Sequence, residues 1–593
     1  MENYQNVYKM LKTTVDKYSN KPAFKWLLEF KWPVSINWEQ FHDQVKKAAK
    51  SFIALGVQKG DKVSILSNTC YRWVLTDVAI MTSGGGTVGI YQSNLPKDCK
   101  YIINHSDSVL IFVEDEKQLE KLKEIKKDIP NIRKVILFKG NVKNLDWVIS
   151  YDEFLNLGND ITEEELNKRI DSLFPEDIAS IVYTSGTTGV PKGAVLTHDN
   201  MIFTTQSVLS SSDITSNDEV FLFLPLAHVF ARTSVYTAIL SGCMTIFNRS
   251  METLTEDLKN AQPHWFISVP RIYEKIYSKV INDVEAKGGI SLKIFKWAVG
   301  VGDEVTECKL NKKPIPFLNS IKYQIANALV FSKLQNALGG RVRFCISGAA
   351  PINSSISKFF HNAGILILEG IGMTENTSFS HVNRINNYRF GWVGIPGEGV
   401  EHKLADDGEV LIRGRNVMKE YYKMPEETAK TIDNDGWLYT GDIGEIDSEN
   451  FLKITGRKKD IIITAGGKNV APSAIEGVLS TSKYINQVCI VGDNYKYLTA
   501  LVTLEPDNIK QYAEQNGIKF ENIDDLIENK AIINLIESEI MQKNKEFASF
   551  ETIKKIKIVP NFSIENGFLT PTLKLKKNLI IKQYQNKIEE MYK

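Results

Sequence analysis

Residues 183–198 read Tyr183-Thr-Ser-Gly-Thr-Thr-Gly-Val-Pro-Lys-Gly-Ala-Val-Leu-Thr-His198. A short apolar run, Ile178-Ala-Ser-Ile-Val182, precedes them and reads as a buried strand. Thr184, Ser185, Thr187 and Thr188 supply hydroxyls, Gly186, Gly189 and Gly193 free the backbone, and Lys192 adds a positive charge, all within ten positions. Glycine lets backbone N–H groups approach an anion closely and turn sharply. Hydroxyls and a lysine add donors, so the loop suits a polyphosphate. It is not the common P-loop, because no Gly-Lys-Ser/Thr opens a helix at the required offset. The plain alternative is a Ser/Thr/Gly surface loop, and the ordered T-S-G-T-T-G-x-P-K-G string argues against it.

Further strings follow in order: Ser347-Gly-Ala-Ala-Pro351, Glu369-Gly-Ile-Gly-Met-Thr-Glu375 and Trp437-Leu-Tyr-Thr-Gly-Asp442, then Gly456-Arg-Lys-Lys-Asp-Ile461, Gly466-Gly-Lys-Asn469 and Thr570-Pro-Thr-Leu-Lys574. Together with the loop they resemble the AMP-forming acyl-adenylate enzymes: acyl-CoA synthetases, peptide-synthetase adenylation domains and luciferases. The resemblance covers almost the whole chain. Leu224-Pro-Leu-Ala-His228, Val269-Pro-Arg-Ile-Tyr-Glu274 and Glu565-Asn-Gly-Phe-Leu-Thr-Pro571 look most like long-chain fatty acyl-CoA synthetases.

The resemblance implies an α/β fold. A large N-terminal domain of layered α/β sheets with a distorted β-barrel subdomain would span residues 1–456, with a helical insertion at about 272–340. A small mobile α+β lid would span 457–593 and rotate about a hinge at Lys459. Composition alone does not mark that boundary.

At 593 residues the chain is too long for one core. A content of 43% hydrophobic and 24% charged residues is that of a soluble globular protein. Seventy-two basic against 71 acidic residues give a net charge of +1, which offers no global support for a nucleic-acid partner. Six scattered cysteines, without metal-ligand or redox-motif spacing, suggest reduced thiols in a cytoplasmic protein. The opening Met1-Glu-Asn-Tyr-Gln-Asn lacks the layout of a secretory signal, and no apolar run reaches the roughly 18–20 residues of a membrane span.

Strand-like runs at Lys62–Ser67, Ser108–Val113 and Arg133–Phe138 alternate with helical periodicity over Trp38–Leu55 and Gln118–Ile129, as in α/β architecture with parallel strands. Ile485–Leu504 reads as two strands turned at Gly492-Asp493. Two helical stripes, Ile272/Ile276/Val280 and Ile321/Ile325/Leu329, read as core packing, with acyl-tunnel lining or peripheral membrane contact as the other reading. Val7, Met10, Leu11 and Val15 pose the same choice at the N-terminus.

The implied chemistry is ATP-dependent acid–thiol ligation. A fatty acid and ATP give an acyl-adenylate and pyrophosphate, then the CoA thiol displaces AMP. Such a reaction relies mainly on positioning and electrostatics. By resemblance, Thr184, Ser185, Gly186, Thr187, Thr188, Gly189 and Lys192 hold the phosphates. Glu375 binds Mg²⁺, a hard cation that prefers oxygen, and Thr374 contacts the α-phosphate. Asp442 takes both ribose hydroxyls, with Arg457 beside it. Gly348, Ala349 and Ile371 lie against adenine, and Ala350, Gly370, Gly372 and Met373 belong to the same ATP/AMP-binding set. Lys574 holds the substrate carboxylate and α-phosphate together; a one-step shift onto Lys576 is the alternative. Gly466, Gly467 and Lys468 would serve CoA after lid rotation. His228 marks the acyl-pocket entrance, or else is a satisfied core histidine, and His198 packs beside the loop. Ile371 departs from the family, in which an aromatic ring at this position stacks on adenine, a difference on the order of 1–3 kcal/mol. An adenylating ligase with another carboxylate or a carrier-protein acceptor, and an inactive nucleotide-binding scaffold, are the competing functions. Luciferase-like oxidation has no supporting feature.

Overall fold

The computed structural model describes residues 1–28, 31–142, 145–184, 190–570 and 574–593. Two large sheets form the body. In one of eight strands, Val148–Ser150, Lys134–Leu137, Ser108–Val113, Lys62–Leu66, Gly86–Ile90 and Ile178–Thr184 run parallel in that order, and Lys192–Thr197 and Glu420–Tyr421 then add antiparallel strands. The strand-like runs and the helices Trp38–Ala54 and Glu116–Ile125 fall where alternation puts them. In the second sheet, of nine strands, Glu219–Leu222, Trp265–Ser268, Phe344–Ser347 and Leu366–Ile371 lie side by side and parallel. Crossover connections place helices on the sheet faces, which is why these strands are apolar on both sides.

The helix His198–Ser210 leads from the first sheet to the second, and the helix Val229–Ser241, which links two strands of the second, packs against it. A buried cluster fixes the second of them. Arg232 donates to both oxygens of Asp77 (3.2 and 2.6 Å) and to Ser180 Oγ (2.5 Å), and the Tyr236 hydroxyl donates to Asp77 (2.5 Å). Removing one partner of such a pair strands a buried charge, at about 3–5 kcal/mol. The cluster therefore ties the helix capped by His228 to the strand that ends at Thr184.

Between Pro270 and Ala337 the chain is helical, with its longest segments at Pro270–Lys287, Gly289–Leu310 and Phe317–Ala326. Ile272, Ile276 and Val280 pack against a core cluster built on Tyr273, Phe359 and Phe360. The stripe Ile321, Ile325 and Leu329, read as core from the sequence, is instead 41–49% exposed. At the N-terminus the packing reading holds: Val7, Met10 and Leu11 are fully buried, and Thr14 Oγ1 donates to the Ile239 carbonyl at 2.7 Å.

Where the resemblance implied a distorted barrel, the strands Glu401–Leu404, Glu409–Arg413, Leu438–Ile446 and Leu452–Arg457 pair in order as an antiparallel sheet whose first and last strands are not paired to each other. Beyond it, Ile485–Val491 and Leu498–Leu504 pair antiparallel, and Ile553–Ile558 joins the second in parallel. Their core, with Leu479, Val488, Val502 and Ile536 fully or nearly fully buried, draws only on residues after Ile461.

Candidate active site

Carboxyl ends of parallel strands are the usual binding edge of such sheets. Thr184, Ser347 and Ile371 all lie at these ends and line one cavity of about 1530 Å³. Lys192 opens the returning strand directly opposite Thr184. Ser185, Gly186, Thr187, Thr188 and Gly189, expected to hold phosphates, lie outside the described residues.

Lys192 forms an ion pair with Glu427, and its Nζ lies 5.0 Å from the centre of the Tyr421 ring. Hydrogen bonds from Lys192 and Lys430 hold the Glu427 carboxyl down at about 2. Both side chains are about one-third exposed, and ion pairs that water reaches in this way are weak.

Glu375 sits in a single 3₁₀ turn, Thr374–Asn376, and is 7% exposed. Tyr421 donates to its Oε1 at 2.6 Å. Gly372 is fixed by sterics: a Cβ there would lie 1.9 Å from the Ser378 carbonyl oxygen. Ala349, Thr377 and Ser378 all have φ between 55° and 70°. Left-handed backbone at residues with side chains costs on the order of 1–3 kcal/mol each and clusters at functional sites. Gly348, Ala349, Ala350, Gly370, Met373 and Thr374 share the cavity wall. Ile371 lines the cavity and packs against Phe203, Val400 and Leu452, and the ring of Phe230 lies against Gly348.

Asp442 and Arg457 are cross-strand partners, and Arg457 Nε donates to Asp442 Oδ1 at 2.8 Å. Burial pushes the Asp442 carboxyl up, and Arg457 opposes this. Lys459 is exposed and lies on the cavity rim between the strand ending at Arg457 and the hairpin strand beginning at Ile462. Lys574 reaches the same cavity from the C-terminal region. Its backbone exchanges hydrogen bonds with Thr570, and a bridge between Leu569 and Leu575 closes the loop that presents it. Water reaches its ammonium through the cavity, but protein surrounds it. Desolvation and repulsion from Arg457 push it down to about 8, against the pull of Asp442 and Glu375. Lys574 and Lys577 line the cavity; Lys576 is not among the lining residues. Lys577 pairs instead with Glu476 at 2.8 Å.

His228 has its ring nitrogen satisfied and also faces the cavity. It caps the helix Val229–Ser241, its Nδ1 accepting from Phe230 N at 3.1 Å, and it lines the cavity. Burial and the nearby Lys574 push it down to about 4, so it is neutral. His198 is buried, accepts from Val7 N at 3.3 Å and is likewise pushed to about 4 by burial. Gly466, Gly467 and Lys468 are not brought to the site; they form an exposed turn between Ile462–Ile463 and Asn469–Val470.

Several lining residues had no sequence signal. Tyr421 and Glu427 lie in the unremarkable run Glu420-Tyr-Tyr-Lys-Met-Pro-Glu-Glu427. Glu369 was inside a recognised string but had no role; it is buried, accepts from Gly391 N at 2.9 Å, and burial pushes it up to about 8. Arg271 hydrogen-bonds Asn486 and lies 3.5 Å from Glu505. Lys483 pairs with Glu285 at 2.8 Å and Asn282 donates to Asn508 at 2.9 Å, so side chains of the helix Pro270–Lys287 hold the C-terminal region.

The donor set also suits Mg²⁺. One buried carboxylate, Glu375, matches a cation that keeps most of its water. Among the described residues no group of three His, Cys, Asp or Glu side chains makes a protein-only cage.

The AMP-binding enzyme family matches residues 11–422, and the AMP-binding enzyme C-terminal domain matches 459–593. The long-chain-fatty-acid–CoA ligase FadD15 of Mycobacterium bovis is 33% identical over 554 residues, covering 93% of this chain and 91% of its own. The long-chain-fatty-acid–CoA ligase ACSBG2 of Homo sapiens is 31% identical over 627 residues, covering 100% and 93%. In fold, the chain resembles the anthranilate CoA ligase AuaEII in complex with anthranoyl-AMP (TM-score 0.76, 19% identity, 99% of both chains). It also resembles a Mycobacterium tuberculosis fatty acyl CoA synthetase (TM-score 0.60, 21% identity, 98% of this chain and 99% of the other). With its sequence matched from end to end in this way, the chain belongs to the AMP-binding enzyme family and is similar to its fatty acyl-CoA synthetases.

Proposed function

We propose that this chain is an AMP-forming long-chain fatty acid–CoA ligase. The observation that carries this reading is a single cavity with two characters. Its lining holds a charged group, Lys574 with Arg457, Asp442 and Glu375, together with Lys192, and an apolar group, Val208, Trp265, Ile267, Phe344, Leu368 and Val382, that packs as one cluster. A substrate with a carboxylate head and an alkyl tail matches both groups at once. The names of the near-full-length relatives support the same activity.

In the first step a carboxylate oxygen attacks the α-phosphorus of ATP and pyrophosphate leaves. Lys574 holds the two anions together as charge accumulates, and fixed cations in a partly desolvated site stabilise such charge far better than water does. Lys192 and the loop after Thr184 take the departing phosphates, Thr374 contacts the α-phosphate, and Asp442 with Arg457 fixes the ribose. Adenine rests against Gly348, Ala349 and Ile371, with Phe230 as the nearby ring. Mg²⁺ held by Glu375 would supply charge neutralisation on the phosphates. In the second step the CoA sulfur attacks the acyl carbon and AMP leaves, so no nucleophilic side chain is required. For this step residues 457–593 turn as a lid about Lys459 against residues 1–456, and Gly466, Gly467 and Lys468 receive the pantetheine arm and CoA phosphates. Six free thiols support a reducing compartment, the cytoplasm.

The test is AMP release with ATP, Mg²⁺ and CoA across saturated acids from acetate to arachidate. A maximum between laurate and stearate is expected. Silence with every acid, while ATP still binds, would overturn the reading.

A further inference from the structure

Apolar side chains exposed on this protein are not evenly spread. Nine of the twenty-one exposed large hydrophobic residues among the described residues lie between 290 and 329. On the helix Gly289–Leu310 they are Ile290, Ile294 and Trp297, spaced to share one face. On the helix Phe317–Ala326 and its π-helical continuation they are Phe317, Leu318, Ile321, Ile325 and Leu329, again one stripe. Phe317 is 78% exposed, Leu318 69% and Ile290 76%. The two helices pack against each other, so both stripes belong to one helical pair. Both helices already bury another face: Phe295, Ala298 and Val301 on one, Ala326 and Phe331 on the other, join the core. The outer stripes are therefore surplus to folding, and contiguous apolar surface of this kind marks an interaction site.

Charge narrows the occupant. Residues 287–333 hold eight lysines and three acids in a chain whose net charge is +1. Two of the acids, Asp303 and Glu307, are already paired with Lys358. A second copy would set this basic surface against itself, because a two-fold interface pairs a patch with the same patch. An anionic lipid surface complements it: apolar side chains enter the headgroup boundary while lysine heads stay among the phosphates. No helix among the described residues is long and apolar enough to cross a membrane, so the contact is peripheral.

We propose that the paired helices Gly289–Leu310 and Phe317–Ala326 dock the protein onto anionic membranes, with Phe317, Leu318 and Ile321 inserted and Lys312 and Lys313 on lipid phosphates. The proposal is independent of the reaction assigned to the cavity. It is tested by co-sedimenting the full chain with vesicles of phosphatidylcholine, alone or in equal parts with phosphatidylglycerol. Binding to the mixed vesicles should exceed binding to the neutral ones at least about tenfold and weaken as salt is raised, since each lysine near an anionic surface is worth about fivefold. The variant Phe317→Ser/Leu318→Ser/Ile321→Ser and, separately, Lys312→Glu/Lys313→Glu should each lose about tenfold, with unchanged melting temperatures. If the apolar variant melts early, the charge variant, in an exposed connector, decides alone. Equal binding by variants and wild type, or no binding to mixed vesicles, overturns the proposal. A dimer in analytical ultracentrifugation that the apolar variant dissolves also overturns it and assigns the stripes to a second copy.

Discussion

Two lysine-bearing stretches of the C-terminal region end in opposite places. Thr570–Lys574 delivers its lysine into the cavity near Asp442, Glu375 and His228, where the ammonium is pushed down to about 8. Gly466-Gly467-Lys468 stands in solvent, with Lys468 over the ring of Phe550 at 5.8 Å. The two apolar clusters beside these stretches share the strands Ile485–Val491 and Leu498–Leu504. This arrangement suits adenylate formation, and thiolation would need the converse.

The harshest test separates the two loops chemically. Lys574→Ala is expected to slow acid-dependent pyrophosphate release about 10²–10³-fold, the usual loss when one charge-stabilising donor is removed. Thiolysis of supplied acyl-AMP by the same variant should stay within a few-fold of wild type. Near-normal pyrophosphate release would remove Lys574 from its role. Gly467→Trp should give the mirror image, with acyl-AMP accumulating while CoA-dependent turnover falls about tenfold or more. Gly467 has φ of 71°, so the variant also carries about 1–2 kcal/mol of backbone strain; a melting curve will show whether the fold survives. If both half-reactions fall together, the turn does not serve thiolation specifically.

A smaller effect is expected from pH. Lys574 in the free protein is charged below about 8 and loses its proton above it. The kcat/KM of adenylate formation, which reports the free enzyme, should therefore fall as pH rises through about 8, approaching tenfold per further unit. Thiolysis should rise over the same range as the CoA thiol ionises. A flat adenylation profile between pH 7 and 9.5 would contradict the assignment. The smallest effect concerns the contacts that hold the region in place. Lys483→Glu replaces the attraction to Glu285 with repulsion, and such exposed pairs are worth at most about 1 kcal/mol. The ratio of thiolysis to adenylation rates should shift up to about fivefold towards thiolysis; an unchanged ratio would mean this pair does not weigh on the equilibrium.

Local strings made much of the site legible. Phosphate cradles need glycine and hydroxyls in sequence, because neighbouring backbone groups must converge on one anion. Strands and helices of the body could likewise be read from alternation, since burial on both faces leaves continuous apolar runs. Glu427, Tyr421 and Arg271 could not be read: each is an ordinary residue whose partner lies 46 to 235 positions away. The stripe Ile321/Ile325/Leu329 shows the same limit from the other side, because apolar spacing defines a face without saying what covers it.

By itself, the sequence determined the family, the order of the motifs and the chemical type of each candidate group, since these depend on residue kinds at short spacing. Tertiary structure alone decided that Lys574 rather than Gly467 faces the cavity, that Glu427 pairs with Lys192 before phosphate arrives, and that one apolar helical stripe is left outside. Each of these depends on which surfaces, distant in the sequence, meet in the folded chain.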